Sequence, residues 1–133
     1  DVVFSETDLS DPELTDLPTP SQFRLTAELS YDPKRLDLLR DLTIEYASGR
    51  AIRVNFSERA VYLNDVRLER VELSSGKLTL DCVATDVVVD LCVNGTRTAT
   101  FASRDREDRA LRVVNDASPD LIFDRLTVAP LKR

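Results

Sequence analysis

The sequence predicts an all-β fold, a two-sheet antiparallel β-sandwich, from three observations. Apolar residues recur at every second position from Phe23 onward, about ten short runs of this kind follow one another closely, and all three glycines fall between the runs. The clearest single signal is Val87 to Ser103, where two alternating runs meet at Asn94-Gly95. A two-residue hairpin turn of type I′ needs positive φ at both central positions, which Asn and Gly adopt at the lowest steric cost.

The elements can be justified in order. Residues 1–22 hold Pro12, Pro18 and Pro20 among acidic and small residues, and read as an extended linker or a strap laid over a domain of residues 23–133. Phe23, Leu25, Ala27 and Leu29 make the first inward row. Pro33 to Arg40 is the one stretch with helical spacing, a short turn with Leu36 and Leu39 facing in and Leu38 as a third candidate. Leu42, Ile44 and Tyr46 precede a turn at Ser48-Gly49; Ile52, Val54 and Phe56 follow, then Val61 and Leu63, then a run around Val66, Leu68, Val71 and Leu73 that stops at Ser75-Gly76. The closing runs are Leu78 to Val83, Val87 to Val93, Thr96 to Ala102, Leu111 to Val114 and Leu121 to Val128.

Composition narrows the function classes. The 133 residues are 42% hydrophobic and 32% charged, enough for a core without metals or disulfides. No apolar run is long enough to cross a bilayer as a helix, so no membrane partner is expected. The Asp1 start is read as that of a trimmed or processed chain. Asp1 to Gln22 carries six acids and no base; removing them from 24 acids leaves 18 against 18 bases, so the rest is electrically balanced. Without an excess positive field, nucleic acid is not an expected partner.

The two cysteines fall on rows of opposite parity, Cys82 inward and Cys92 outward, which no disulfide spans, since it needs Cα atoms within about 7 Å and converging Cβ vectors. With no His in the chain, a Cys-His catalytic pair and a cysteine-histidine zinc site are ruled out within it. Glu6 to Asp11 approaches an E-x-D-x-x-E pattern but ends in Asp within the proline-containing segment, and Asp8, Asp11 and Asp16 lack the regular spacing of a calcium loop. No catalytic residues, metal site or cofactor are therefore assigned. Two sequons, Asn55-Phe56-Ser57 and Asn94-Gly95-Thr96, fit N-glycosylation only in a eukaryotic secretory setting.

The run Gly76-Lys77-Leu78-Thr79-Leu80 through Asp90-Leu91-Cys92-Val93-Asn94-Gly95, the Thr-rich run after it and the closing LIFDRLTVAPL resemble the C-terminal β-sandwich of glycoside hydrolase family 32, which includes invertases, levanases and inulinases. The resemblance begins at Leu17-Pro18 and takes in Phe23-Arg24-Leu25-Thr26-Ala27-Glu28-Leu29. Relative to the V-E-V-F-V-N-D-G strand of that family, Asp90 replaces Glu, Cys92 replaces Phe, and one residue is missing between Asn94 and Gly95. The resemblance implies a concanavalin-like, jelly-roll sandwich. It also implies a non-catalytic role, because catalysis in that family belongs to a five-bladed propeller, which 133 residues cannot hold beside a sandwich. The implied partners are a fructan-type glycan or an adjacent catalytic domain, and the implied location is extracellular or periplasmic.

Sugar recognition needs a shallow site with an aromatic face and planar polar groups. Lacking Trp, the chain offers Tyr31, Tyr46, Tyr62 and five Phe. Outward positions that break the inward rows are Glu45, Arg53, Asn55, Arg67, Glu69 and Asp90, and these six are the candidate binding residues. For each of them an ordinary solvated sheet face is the plainer alternative. A laminin-G-like protein-interaction module and a purely structural sandwich packed on a catalytic propeller remain open as well.

Overall fold

A computed structural model describes residues 2–4, 13–18, 22–47, 50–64, 66–68, 72–85, 88–102, 110–116 and 120–131. Their strands, in chain order, are β1 Val2–Phe4, β2 Glu13–Pro18, β3 Phe23–Ser30, β4 Leu42–Ala47, β5 Arg50–Asn55 and β6 Ala60–Leu63. They continue with β7 Val66–Leu68, β8 Lys77–Ala84, β9 Val88–Val93, β10 Thr96–Ala102, β11 Ala110–Asn115 and β12 Ile122–Pro130. Two six-stranded antiparallel sheets result, β1-β12-β3-β8-β9-β10 and β2-β11-β4-β5-β6-β7.

The alternation read from the sequence is what builds the core. Phe23, Leu25, Ala27 and Leu29 of β3 and Leu78, Leu80, Cys82 and Ala84 of β8 are buried from one sheet; Leu42, Ile44, Tyr46, Ile52 and Val54 are buried from the other. Phe23 and Tyr46 meet across the two sheets with ring centroids 6.5 Å apart. Each fully buried Leu, Ile or Phe contributes about 1.5–3 kcal/mol relative to exposure, so these rows carry the stability of the sandwich. The β9–β10 hairpin turns at Asn94 (φ 52) and Gly95 (φ 83), the pair of positive angles that the Asn-Gly step predicts. Asn94 is held further: its Oδ1 accepts from the Thr79 amide at 2.9 Å and its Nδ2 donates to the Glu72 carbonyl at 3.1 Å.

Three features depart from the sequence reading. Segment 1–22 supplies two edge strands, β1 against β12 and β2 against β11; apart from Gln22, the rest of it lies outside the described residues. In β2 a register shift sets Leu14 opposite Val113 and Leu17 opposite Leu111, so residues three apart face partners two apart. Such a bulge hides the period of two, and Pro18 is tolerated because β2 is an edge. Second, β12 has the same irregularity between Phe123 and Arg125, which lets Phe123 and Leu126 both be buried and turns Asp124 and Arg125 outward together. Third, Pro33–Leu38 forms a 3₁₀ turn with Leu36 buried, but Leu38 is 70% exposed. The turn starts at Asp32, whose side chain accepts from the Lys34 amide at 2.9 Å. Three residues per turn cannot aim Leu36, Leu38 and Leu39 at one core.

A knot of contacts closes the sandwich at the end of β3. Tyr31 donates its hydroxyl to the Leu73 carbonyl at 2.6 Å and packs edge-on against Phe56, centroids 5.2 Å apart. Its amide bonds the Gly76 carbonyl at 3.0 Å. Gly76 sits at φ +80, and a Cβ there would lie 2.9 Å from the Tyr31 carbonyl oxygen. Burial, helped by the Glu72 carboxylate, pushes the Tyr31 hydroxyl up to about 12. Cys82 is buried and Cys92 half-buried, and neither is in a disulfide.

Candidate functional site

The outer face of the sheet containing β4 to β7 gathers the densest polar constellation among the described residues. Its geometry starts from a four-residue connection. Asn55 pairs with Ala60 across β5 and β6, the Arg59 amide bonds the Phe56 carbonyl at 3.1 Å, and Arg59 takes φ 54 to close the turn. The Asn55 Oδ1 accepts from the Ser57 hydroxyl at 2.9 Å and from the Glu58 amide at 3.0 Å, an Asx-type turn that brings Glu58 back over the sheet.

Glu58 then becomes the hub. Its Oε1 accepts from Asn55 Nδ2 at 2.8 Å; its Oε2 accepts from the Tyr62 hydroxyl at 3.1 Å and lies 3.7 Å from Arg67 Nη1. Arg53, Tyr62 and Arg67 are directly opposed across β5, β6 and β7, so they form one row of side chains. The Arg53 guanidinium stacks over the Tyr62 ring at 4.2 Å and donates Nη1 to Asp41 Oδ2 at 3.0 Å. At the rim, Arg59 bridges Asp37 at 3.1 Å. A carboxylate has about four acceptor positions and a guanidinium five N–H donors, so this network holds its groups in place with bonding capacity left over.

Of the six residues chosen from the sequence, Arg53, Asn55 and Arg67 come together here. Glu45 is on the same face, on β4, opposite Ala51 and Arg112 and one register step from the Arg53 row. Glu69 lies outside the described residues. Asp90 does not join them: it is on β9 in the other sheet, opposite Val83 and Thr100. The correction has a simple cause, because alternation fixes which residues point outward but not from which of two back-to-back sheets. Glu58 and Asp41 were missed, and the Asn55-x-x-Glu58 spacing within a turn was the available signal for Glu58. Of the three tyrosines, Tyr31 and Tyr46 are buried in the core and only Tyr62 belongs to this face.

No family model matches the sequence, and no curated protein matches it at a significant level. Solved structures do match. Galectin LEC-6 from Caenorhabditis elegans superposes with a TM-score of 0.62 at 14% identity, covering 96% of this chain and 95% of that one. The concanavalin-like jelly roll is the shared fold. This jelly roll also matches a tetrameric galectin from the ball sponge Cinachyrella (TM-score 0.61, 14% identity, 88% and 99% covered). A third match is the β-fructofuranosidase of Schwanniomyces occidentalis complexed with fructosyl-erythritol (0.68, 11%). That match covers 99% of this chain but only 33% of the enzyme chain. At these identities the likeness is one of fold.

Proposed function

We propose that this jelly roll is a non-catalytic glycan-binding module that uses the outer face of β4 to β7. The observation that carries the reading is the convergence of Arg53, Asn55, Glu58, Tyr62 and Arg67 on one sheet face. Planar donors and acceptors at fixed spacing suit vicinal hydroxyls, and the Tyr62 edge offers an apolar surface beside them. The fold shared with galectins over nearly the whole of both chains supports a binding role, and the match to part of a fructofuranosidase supports the fructan preference and an accessory place beside a glycoside hydrolase. An extracellular or periplasmic setting belongs to the same reading.

The protein-docking and structural alternatives both need a contiguous apolar patch. Among the described residues, the large apolar side chains that are strongly exposed are Leu38, Val66 and Ile122, one in the 3₁₀ turn, one on β7 and one on β12. The test is an NMR titration with fructose, levan, inulin, a galactose-containing oligosaccharide and a glucan. Saturable shifts at Arg53, Asn55, Tyr62 and Arg67 with fructans are the expected result. Shifts with the galactose-containing sugar alone would keep the site and overturn the fructan preference; a flat response to all five would overturn the glycan reading.

A further inference from the structure

The opposite sheet carries a polar pocket of a different kind. It has a volume of about 300 Å³ on the outer face of β3, β8 and β12, with Glu28, Lys77, Thr79 and Asp124 at its wall. Register explains the convergence. Glu28 faces Thr79 and Ser30 faces Lys77 across β3 and β8, and the bulge in β12 pushes Asp124 out between the two rows. Ser30 donates its hydroxyl to Asp124 Oδ2. Arg125 is directly opposite Glu28, yet it turns along its own strand and donates Nε to Thr127 Oγ1 at 3.2 Å. The Glu28 carboxylate, the Lys77 ammonium and the Thr79 hydroxyl thus have no hydrogen-bond or ion-pair partner among the described residues.

We infer that this pocket is a second ligand site, which takes one amino-sugar unit through its ammonium group. The lining itself holds two carboxylates and one ammonium, a net charge of −1, with Arg125 turned away toward Thr127, so a ligand with one positive charge fits it. A compact ammonium offers three donors, which Glu28, Asp124 and the Thr79 hydroxyl can accept. Lys77, with three donors of its own, requires acceptor oxygens next to that ammonium, and the hydroxyls flanking the amine of an amino sugar provide them. A bare alkylammonium leaves Lys77 unanswered, and a zwitterion leaves the net charge uncompensated. The volume, at the lower end of small-molecule sites, fits a single ring.

The test is a backbone NMR titration of the full chain at mildly acidic pH with glucosamine, against glucose, N-acetylglucosamine and ammonium chloride at equal ionic strength. Expected are saturable shifts at Glu28, Ser30, Lys77 and Thr79 with glucosamine alone. Glu28→Gln, which breaks no side-chain bond among the described residues, is expected to weaken binding roughly tenfold, as for loss of one charge-assisted hydrogen bond. Equal binding of glucose or N-acetylglucosamine, reproduction of the shifts by ammonium chloride, or indifference to Glu28→Gln overturns the proposal. Its readout residues are on the sheet opposite Arg53 and Tyr62, so its failure and that of the first reading are told apart in the same spectra.

Discussion

The polar cluster on β5 to β7 and the pocket on β3, β8 and β12 use similar residues in opposite ways, although the second face also carries the paired Arg24 and Asp81. On β5 to β7, acids and bases satisfy one another through Glu58 and Asp41; on β3, β8 and β12, Glu28 and Lys77 stand beside a pocket without engaging each other or another side chain among the described residues. The first face is held rigid before any ligand arrives, which lowers the ordering cost of binding but makes each group structurally costly to remove. The second keeps the bonding capacity of Glu28 and Lys77 for a ligand, while Asp124 already accepts from Ser30. The difference teaches that polarity alone does not mark a site; the partners of each polar group do.

The two faces rest on a common support, the knot at Tyr31, and the largest predicted effect lies there. Gly76→Ala is expected to cost about 2–4 kcal/mol, because it places a Cβ at a left-handed φ and against a backbone oxygen. Denaturant unfolding measures it, and a loss under about 1 kcal/mol would show that the β3–β8 end yields freely. Tyr31→Phe comes next, at about 1–2 kcal/mol, for the buried Leu73 carbonyl left without its donor. It also has a pH signature. The Tyr31 value rises from 10.0 to about 12 on folding, so its contribution is fully present below about pH 10 and is lost as pH climbs through about 12. Stability curves across that window are expected to fall more steeply for the wild type than for Tyr31→Phe.

Smaller effects separate the faces directly. Glu58→Ala removes acceptors from Asn55 and Tyr62 and is expected to cost about 1 kcal/mol, with weakened glycan binding on that face and no change in the glucosamine response. Glu28→Gln is expected to leave stability within about 0.5 kcal/mol, since its exposed carboxylate bonds no side chain among the described residues. Equal destabilisation by these two substitutions would erase the contrast.

Much of this was legible in the chain. Rows such as Phe23-Leu25-Ala27-Leu29 announce a strand because burial on one face imposes a period of two, and Asn94-Gly95 announces its turn because few other pairs accept two positive φ angles. What escaped did so for physical reasons. Leu14 and Leu17 are three apart, a spacing that only the register shift against β11 makes compatible with a strand. Asp90 and Arg53 share outward parity, yet sheet membership is decided by long-range pairing, which local pattern does not encode. Glu58 reaches its place through a turn, and the pocket around Glu28 owes its shape to the bulge at Asp124.

The placement of β1 and β2 has a practical consequence for handling the protein. Each covers the outside strand of a different sheet, so the N-terminal segment works as a clasp fastened to both halves. A chain cut back to Phe23 would present β11 and the long β12 as bare edges, rows of unpaired amides and carbonyls that invite strand addition from another molecule. Trimming meant to tidy the acidic segment would thus open two pairing edges and seed aggregation.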